Sequence, residues 1–406
     1  MTFDLNWLTK PTTVSSDARN LRHLHTVADA ERLAQRRLPR PVFDYIAGGA
    51  GAEFTAADNI AALRHEIFRP RMGDTIGIEP RDTKRSLFGT PSTLPLAVGP
   101  VGFTRSMHPQ GDVAGARAAS AMGVPFCQSS MSGHTIDEVG AAADSFWYQL
   151  YPLGGRQGGE QMIERARAAS ASTLVVTMDT VVPGNRERDL QYGAALPVRV
   201  NRKTMRTMAK YVATKPRWLT NAARDRFRFP LANTHGMTRD GRLLREDEAL
   251  MYWIVEPPTW NDLAWMREQW KGSLVVKGLL TADDARRAVD GGADGIIVSN
   301  HGGRQLDQTS TSLAALREIA PAVGNSVEIM MDGGIRRGSD VAVALCAGAR
   351  GVLLGRSWVY GLAAGGEQGV QRVLEIIRND FIRTMQLLGV RHVDELGPEF
   401  LETRTR

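Results

Sequence analysis

The sequence predicts an α/β fold: a (β/α)8 TIM barrel with an N-terminal helical extension and one long loop insertion after the fourth strand. Three observations lead there. Eight short apolar runs rich in Val, Ile and Leu recur along the 406 residues. Ala-rich stretches with helical spacing lie between them. The alternation is broken only once. Eight buried strands alternating with helices is the pattern of a closed parallel barrel, and about 250 residues suffice for one.

The elements follow in chain order. Val27–Arg37 and Pro41–Ala47 read as short helices ahead of the barrel, punctuated by Pro39 and Pro41. Strands are expected at Pro95–Gly99, Pro125–Ser129, Phe146–Tyr151, Thr173–Met178, Ser273–Lys277, Gly295–Ser299, Val327–Asp332 and Gly351–Gly355. Helical patterns fall at Gly111–Met122, Glu160–Ala171, Ala282–Asp290, Thr311–Ile319 and Gly338–Ala347. About ninety residues separate the fourth strand from the fifth, where about thirty complete a strand-helix unit. The excess, residues 183–261, is expected to pass over the C-terminal mouth of the barrel as a lid or interaction segment. The chain thus divides into residues 1–90 (helical extension and entry to the barrel), 91–380 (the barrel) and 381–406 (a C-terminal tail). Residues 1–25 show no clear role.

Composition removes several classes. Hydrophobic residues at 43% and charged residues at 23% are ordinary for a globular chain. Two cysteines, Cys127 and Cys346, are too few for a disulfide framework or a cysteine-ligated metal site, and no metal is expected. The sequence holds no run of eighteen apolar residues and no secretory h-region, so a cytoplasmic location is the expectation. The net charge of +6 is unevenly placed. Between Arg199 and Phe229 ten Lys or Arg face one acid, Asp225, and the remainder of the chain is net acidic. A basic surface confined to one segment is not that of a nucleic-acid binder.

Barrel chemistry sits at the C-terminal strand ends. Gln149 and Tyr151 end strand three, Thr177 and Asp179 strand four, Lys277 strand five. Strand six runs into Ser299-Asn300-His301-Gly302-Gly303-Arg304, strand seven into Asp332-Gly333-Gly334-Ile335-Arg336, and strand eight into Gly355-Arg356. Glycines followed by arginines at the seventh and eighth strands suit a phosphate group, because the backbone approaches closely and the guanidinium adds charge; tight turns with solvated arginines are the alternative. Lys277 ends an apolar strand and needs an anionic partner, either a cofactor ring or a structural carboxylate. His301 beside Arg304 pairs a titratable base with a carboxylate clamp, and Asp179 could orient the imidazole. A surface histidine is the plainer reading.

The run Ser299-Asn300-His301-Gly302-Gly303-Arg304-Gln305-Leu306-Asp307 resembles the signature of the FMN-dependent L-2-hydroxy acid dehydrogenase and oxidase family, which includes lactate dehydrogenases, glycolate oxidase and mandelate dehydrogenase. The resemblance extends from about Val27 to Leu396. It implies FMN as cofactor and an L-2-hydroxy acid, lactate ahead of mandelate or a larger aryl acid, as substrate. It implies His301 as the base, with Asp179 and Tyr151 completing the catalytic group, and Tyr45, Tyr151, Arg186 and Arg304 binding substrate. Val101, Gly102, Ser129, Gln149, Thr177, Lys277 and Ser299 would meet the flavin. Asp332, Gly333, Gly334, Arg336, Gly355 and Arg356 would hold the ribityl and phosphate groups. It further implies a homotetramer and a quinone or other acceptor.

Departures refine this. Pro100-Val101-Gly102 stands where many relatives have Pro-Thr-Ala or Pro-Thr-Gly, so Val101 can offer only backbone. Gly102 resembles the dehydrogenase branch, alanine there the oxidase branch. Met131 replaces tryptophan or alanine and fits a medium pocket. Met205, Met208, Val212, Trp218 and Leu219, interleaved with cations, suit an anionic membrane surface at the inner face; a solvated charge run or an acidic partner would also fit. Alternatives to lactate oxidation are an oxidase using O2, a relative acting on a modified peptide or amine, and a flavin-binding scaffold without turnover.

Overall fold

The computed structural model describes residues 21–71, 80–192, 209–224 and 229–403. Eight parallel strands close into a barrel: β1 (Leu96–Val98), β2 (Phe126–Ser129), β3 (Phe146–Leu150), β4 (Thr173–Thr177), β5 (Ser273–Leu279), β6 (Gly295–Val298), β7 (Glu328–Met331) and β8 (Gly351–Leu354). Each of the eight expected strands is present to within two residues. Neighbouring strands are consecutive in sequence, and β8 pairs with β1 to close the ring.

Side chains in a strand alternate between faces, so the barrel interior is built in layers two residues apart. One layer takes a single apolar residue from each strand: Ala97, Cys127, Trp147, Val175, Val275, Ile297, Met330 and Leu353. Leu87 and Phe88 join it from the hairpin Arg85–Leu87/Thr90–Ser92. There the Trp147 indole N–H donates to Thr90 Oγ1 at 3.0 Å. This plug is fully dry and closes the N-terminal end. Two residues further along every strand the next inward positions are Gly99, Ser129, Gln149, Thr177, Lys277, Ser299, Asp332 and Gly355. The change from an apolar layer to this polar one is what makes one end of the barrel a core and the other a site.

The extension is integrated into the barrel. The helix Val27–Arg37, started by a capping box between Thr26 and Asp29, packs on the helix Arg356–Leu388. The strand Glu66–Phe68 pairs antiparallel with Leu401–Thr403, so the extension meets the segment that follows the long helix. The expected segment limits shift accordingly. The limit at residue 90 falls inside the plugging hairpin. The limit at 380 falls inside the last helix, whose apolar face continues through Phe381, Met385 and Leu388. The expected helix Glu160–Ala171 starts earlier, at Gly155, because Gly154 and Gly155 adopt the left-handed backbone that turns the chain off β3.

The excursion after β4 contains its own elements: helices Pro216–Arg224 and Glu246–Val255 and the short hairpin Thr238–Arg239/Arg242–Leu243. The next helix, Trp260–Gln269, begins before the expected limit at 261. Arg199, Arg202, Lys203, Met205, Arg206, Met208, Arg226 and Arg228 lie outside the described residues. Trp218 is turned inward. It is 9% exposed, its indole N–H donates to Ser106 O at 2.7 Å, and its ring lies 6.1 Å from that of Phe229. An indole held this way anchors the excursion to the barrel rim and is not offered to a membrane.

Candidate active site

One cavity at the C-terminal mouth is lined by nearly all the expected residues: Tyr45, Val101, Gly102, Ser129, Gln149, Tyr151, Thr177, Arg186, Lys277, His301, Arg304, Asp332, Gly333, Gly334, Arg336, Gly355 and Arg356. Asp179 and Ser299 do not line it. They stand behind His301 and Lys277, in hydrogen-bond contact with them.

His301 stands on a strained turn. His301, Gly302 and Gly303 take positive φ values of 58°, 65° and 73°. A left-handed non-glycine residue costs of the order of 1–3 kcal/mol and persists only where its surroundings hold it. Here the His301 N–H donates to Ser299 Oγ at 3.0 Å. His301 Nδ1 lies 2.9 and 3.1 Å from the two carboxylate oxygens of Asp179. Burial pushes the Asp179 carboxyl up, but the imidazole, its hydrogen bond and the Lys277 ammonium together hold it below the usual carboxylate range. An ionised carboxylate only accepts, so Nδ1 carries a hydrogen, and whenever the ring is neutral Nε2 is its acceptor.

The N-terminal extension clamps this turn. Ala50 N–H donates to Gly303 O at 2.8 Å. The side chains of Asn59 and Asn300 bond reciprocally at 2.8 and 2.9 Å. Asp307, the last residue of the signature run, accepts from Thr55 N–H at 2.8 Å and so caps the helix Phe54–His65. These partners lie some 240 residues apart, and Asn59 carries no sequence signal that links it to a site.

Lys277 is buried and held by a carboxylate and a hydroxyl: Nζ lies 2.9 Å from Asp332 Oδ2 and 2.8 Å from Ser299 Oγ, and Ser299 Oγ donates to Asp332 Oδ1 at 2.6 Å. Burial alone would depress the ammonium, yet Asp332 and Asp179 outweigh it and raise the group above its ordinary value. The structural and cofactor readings of this lysine are therefore compatible. It is a fixed positive charge with one face on the cavity.

Two arginines face the substrate end. Arg304 Nη1 donates to Tyr45 O at 2.7 Å and Gly48 O at 2.8 Å. Arg304 and Arg186 both stack near the Tyr45 ring, at 5.0 and 5.7 Å. Burial first, and then the charge of Arg186, push the Arg304 guanidinium down to about 9. Two cations side by side, with Arg186 Nε buried and lacking a partner among the described residues, are a place for an anion.

Arg356, expected at the phosphate, lines the cavity and is also tied to three backbone carbonyls. Its Nε, Nη1 and Nη2 donate to Ile46 O, Gly302 O and Gly48 O at 3.0, 2.8 and 2.8 Å. It staples the Tyr45 segment to the His301 turn while lining the cavity. Other wall residues were missed by sequence reasoning. Trp253 reaches in from the excursion helix and lies 4.8 Å from the Tyr151 ring, and Phe103 and Thr180 complete the wall. Apolar or small loop residues carry no motif, so nothing in the chain marks them. Met131 packs directly on Gly102: a Cβ added at Gly102 would lie 2.8 Å from Met131 Cβ.

Residues 34–403 match the family described as FMN-dependent dehydrogenase. The chain is 42% identical over 387 residues to the L-lactate dehydrogenase of Caulobacter vibrioides (strain NA1000 / CB15N), covering 93% of this chain and 98% of that one. It is 40% identical over 381 residues to the pre-mycofactocin synthase of Mycolicibacterium smegmatis (strain ATCC 700084 / mc(2)155), covering 92% of each. A crystal structure of the monotopic membrane protein (S)-mandelate dehydrogenase superposes with a TM-score of 0.86 at 36% identity, covering 94% of this chain and all of that one.

Proposed function

The chain belongs to the FMN-dependent dehydrogenase family, and from that premise we propose that it oxidises an L-2-hydroxy acid, L-lactate first among them, to the 2-oxo acid and passes the electrons to a quinone or another carrier. The observation that carries the reading is the His301–Asp179 pair at 2.9 Å, opening on a cavity that also holds Arg186 and Arg304.

The residues fit FMN. Gln149 Oε1 accepts from Ser129 Oγ at 3.0 Å, leaving its buried Nε2 without a partner among the described residues, and Thr177 Oγ1 is likewise buried and unpartnered. A Cβ added at Gly355 would meet nothing within 4 Å, so the backbone there borders an open cradle beside Gly333, Gly334 and Arg336. Bound FMN would supply the acceptor for the two electrons and the second hydrogen that the substrate loses. Arg186 and Arg304 bind the substrate carboxylate, Tyr45 and Tyr151 bound its reacting end, and His301 Nε2 takes one proton. Asp179 stabilises the imidazolium that forms. Lys277 presents a positive charge that Asp332 and Ser299 hold in place.

A Gly355→Ala protein gains a methyl that meets no protein atom and should bind FMN at least about tenfold more weakly, a loss of about 1.4 kcal/mol. Flavin titration of the apoprotein beside its melting curve checks this.

An aryl substrate is favoured by a different observation: Phe103, Met131 and Trp253 line the same cavity. Anaerobic titration of the yellow protein with L-lactate and L-mandelate decides between them. Bleaching by lactate supports the first reading and bleaching by mandelate alone the second. Slow recolouring in air is expected of a dehydrogenase with glycine at 102. Bleaching by neither acid sinks the hydroxy-acid reading.

The same proposal includes a homotetramer, checked by mass in solution, and association with an anionic membrane face through residues 199–229. The monotopic neighbour and the ten cations support the membrane contact. No helix among the described residues is long and apolar enough to cross a membrane. Salt-sensitive cosedimentation with anionic vesicles is the expected result.

A further inference from the structure

The hydrogens of the groups behind the substrate end can be assigned one after another. Asp179 is ionised, for the reasons given above. Its Oδ1 lies 2.7 Å from Thr180 Oγ1. An ionised carboxylate can only accept, so the single hydroxyl hydrogen of Thr180 is committed to Asp179. The phenol oxygen of Tyr151 lies 3.2 Å from that same Thr180 oxygen. Thr180 has no second hydrogen to give, so Tyr151 is the donor in this bond. Burial, and then the charge of Asp179, push the Tyr151 phenol well above its ordinary value, so it keeps its hydrogen throughout the working pH range. Tyr151 and Thr180 are only 6% and 7% exposed, and the Trp253 indole packed on the Tyr151 ring fixes the ring's place.

We propose that Thr180 is a positioning residue that fixes the hydrogen-bond polarity of Tyr151, so that the phenol oxygen meets a bound molecule only as an acceptor. The partner it selects must carry a hydrogen. On the reading that the substrate is a 2-hydroxy acid, on which this consequence rests, that partner is the 2-hydroxyl group. A directed line then runs from substrate O–H to Tyr151 O–H, to Thr180 O–H, to the Asp179 carboxylate. The same carboxylate holds His301 Nδ1, so one ionised group orients both the base and the hydroxyl. The product has an oxo oxygen and no hydrogen at that position. Two acceptors then face each other, and the site disfavours the oxidised ligand over the reduced one. Thr180 thus bears on release of product as well as on alignment of substrate.

The resting, FMN-loaded protein supplies the first test. The Raman doublet of the Tyr151 ring, obtained by difference against Tyr151→Phe, should report a phenol that donates and does not accept. A phenol that accepts from Thr180 would overturn the proposal.

The second test uses ligands. In Thr180→Val the Tyr151 hydrogen is released and can turn to an oxo oxygen. Pyruvate and phenylglyoxylate, followed by the absorbance of bound FMN, should bind up to about tenfold more tightly, the scale of one hydrogen bond. Reduction of the flavin by L-lactate or L-mandelate should slow in the same variant, and Thr180→Ser should restore both properties. The opposite signs separate this role from mere support of the fold, which would weaken both ligands together. Equal weakening of both, or unchanged affinity for the oxo acids, overturns the proposal. Should Thr180→Val fail to fold, the Raman difference and the Thr180→Ser protein, which should match the wild type in both ligand affinities, still decide. A donor-only phenol in a wild-type protein that neither hydroxy acid reduces would uphold the polarity and reject the hydroxy-acid reading instead.

Discussion

Replacing His301 by Gln should leave the protein yellow and folded while slowing flavin reduction by substrate by about 10²–10⁴-fold, the range for loss of a general base. The amide of glutamine can still donate to Asp179, so the carboxylate keeps a partner, but no atom at position 301 can take a proton. The left-handed backbone at 301 (φ 58°) complicates a single variant. His301→Asn is the natural companion, because asparagine adopts that conformation readily. Anaerobic rapid-mixing reduction, with flavin content measured on the same samples, gives the answer. A variant of either kind that reduces at the wild-type rate would remove His301 from the mechanism.

Replacing Lys277 by Met should cost about 3–5 kcal/mol of stability, the usual result of removing one partner of a buried ion pair. Lys277 Nζ is the 2.9 Å partner of Asp332 Oδ2, and the ionised Asp179 also acts on it electrostatically. Without it the half-buried Asp332 carboxylate loses its ion-pair partner, and Ser299 loses the 2.8 Å contact with the ammonium while still holding the His301 backbone N–H. Flavin retention should fall along with the melting temperature. Lys277→Met paired with Asp332→Asn separates the two effects: the double variant should recover much of the stability, because the orphaned charge is gone, and none of the flavin retention. Equal melting temperatures for Lys277→Met and the wild type would show that the pair contributes little to the fold.

Much of the site was legible before any coordinates, and for a local reason. A strand alternates its faces every residue, so apolar runs ending in a polar or glycine residue mark both the strand and the position that next points inward. Gln149, Thr177, Lys277, Asp332 and Gly355 were readable this way and Ser129 through the family resemblance, and the structure places all six in one layer around one cavity. Ser299 shares the layer but is occupied by Lys277, Asp332 and the His301 backbone, and it lines no part of the cavity. That distinction is a matter of side-chain direction and hydrogen-bond partner, which spacing does not encode.

The sequence by itself determined the eight-stranded barrel, the end at which its chemistry lies, and the residue types gathered there, because each follows from short-range periodicity and strand-end composition. Only the tertiary structure decided that Asn59 locks Asn300, that Arg356 staples the Tyr45 segment to the His301 turn, that Trp218 turns inward while Trp253 walls the cavity, and that Thr180 gives its one hydrogen to Asp179. These contacts join residues far apart in the chain or depend on which of several partners a polar atom chooses. Both are settled only when the barrel has closed and burial makes every unpaired hydrogen-bonding group costly.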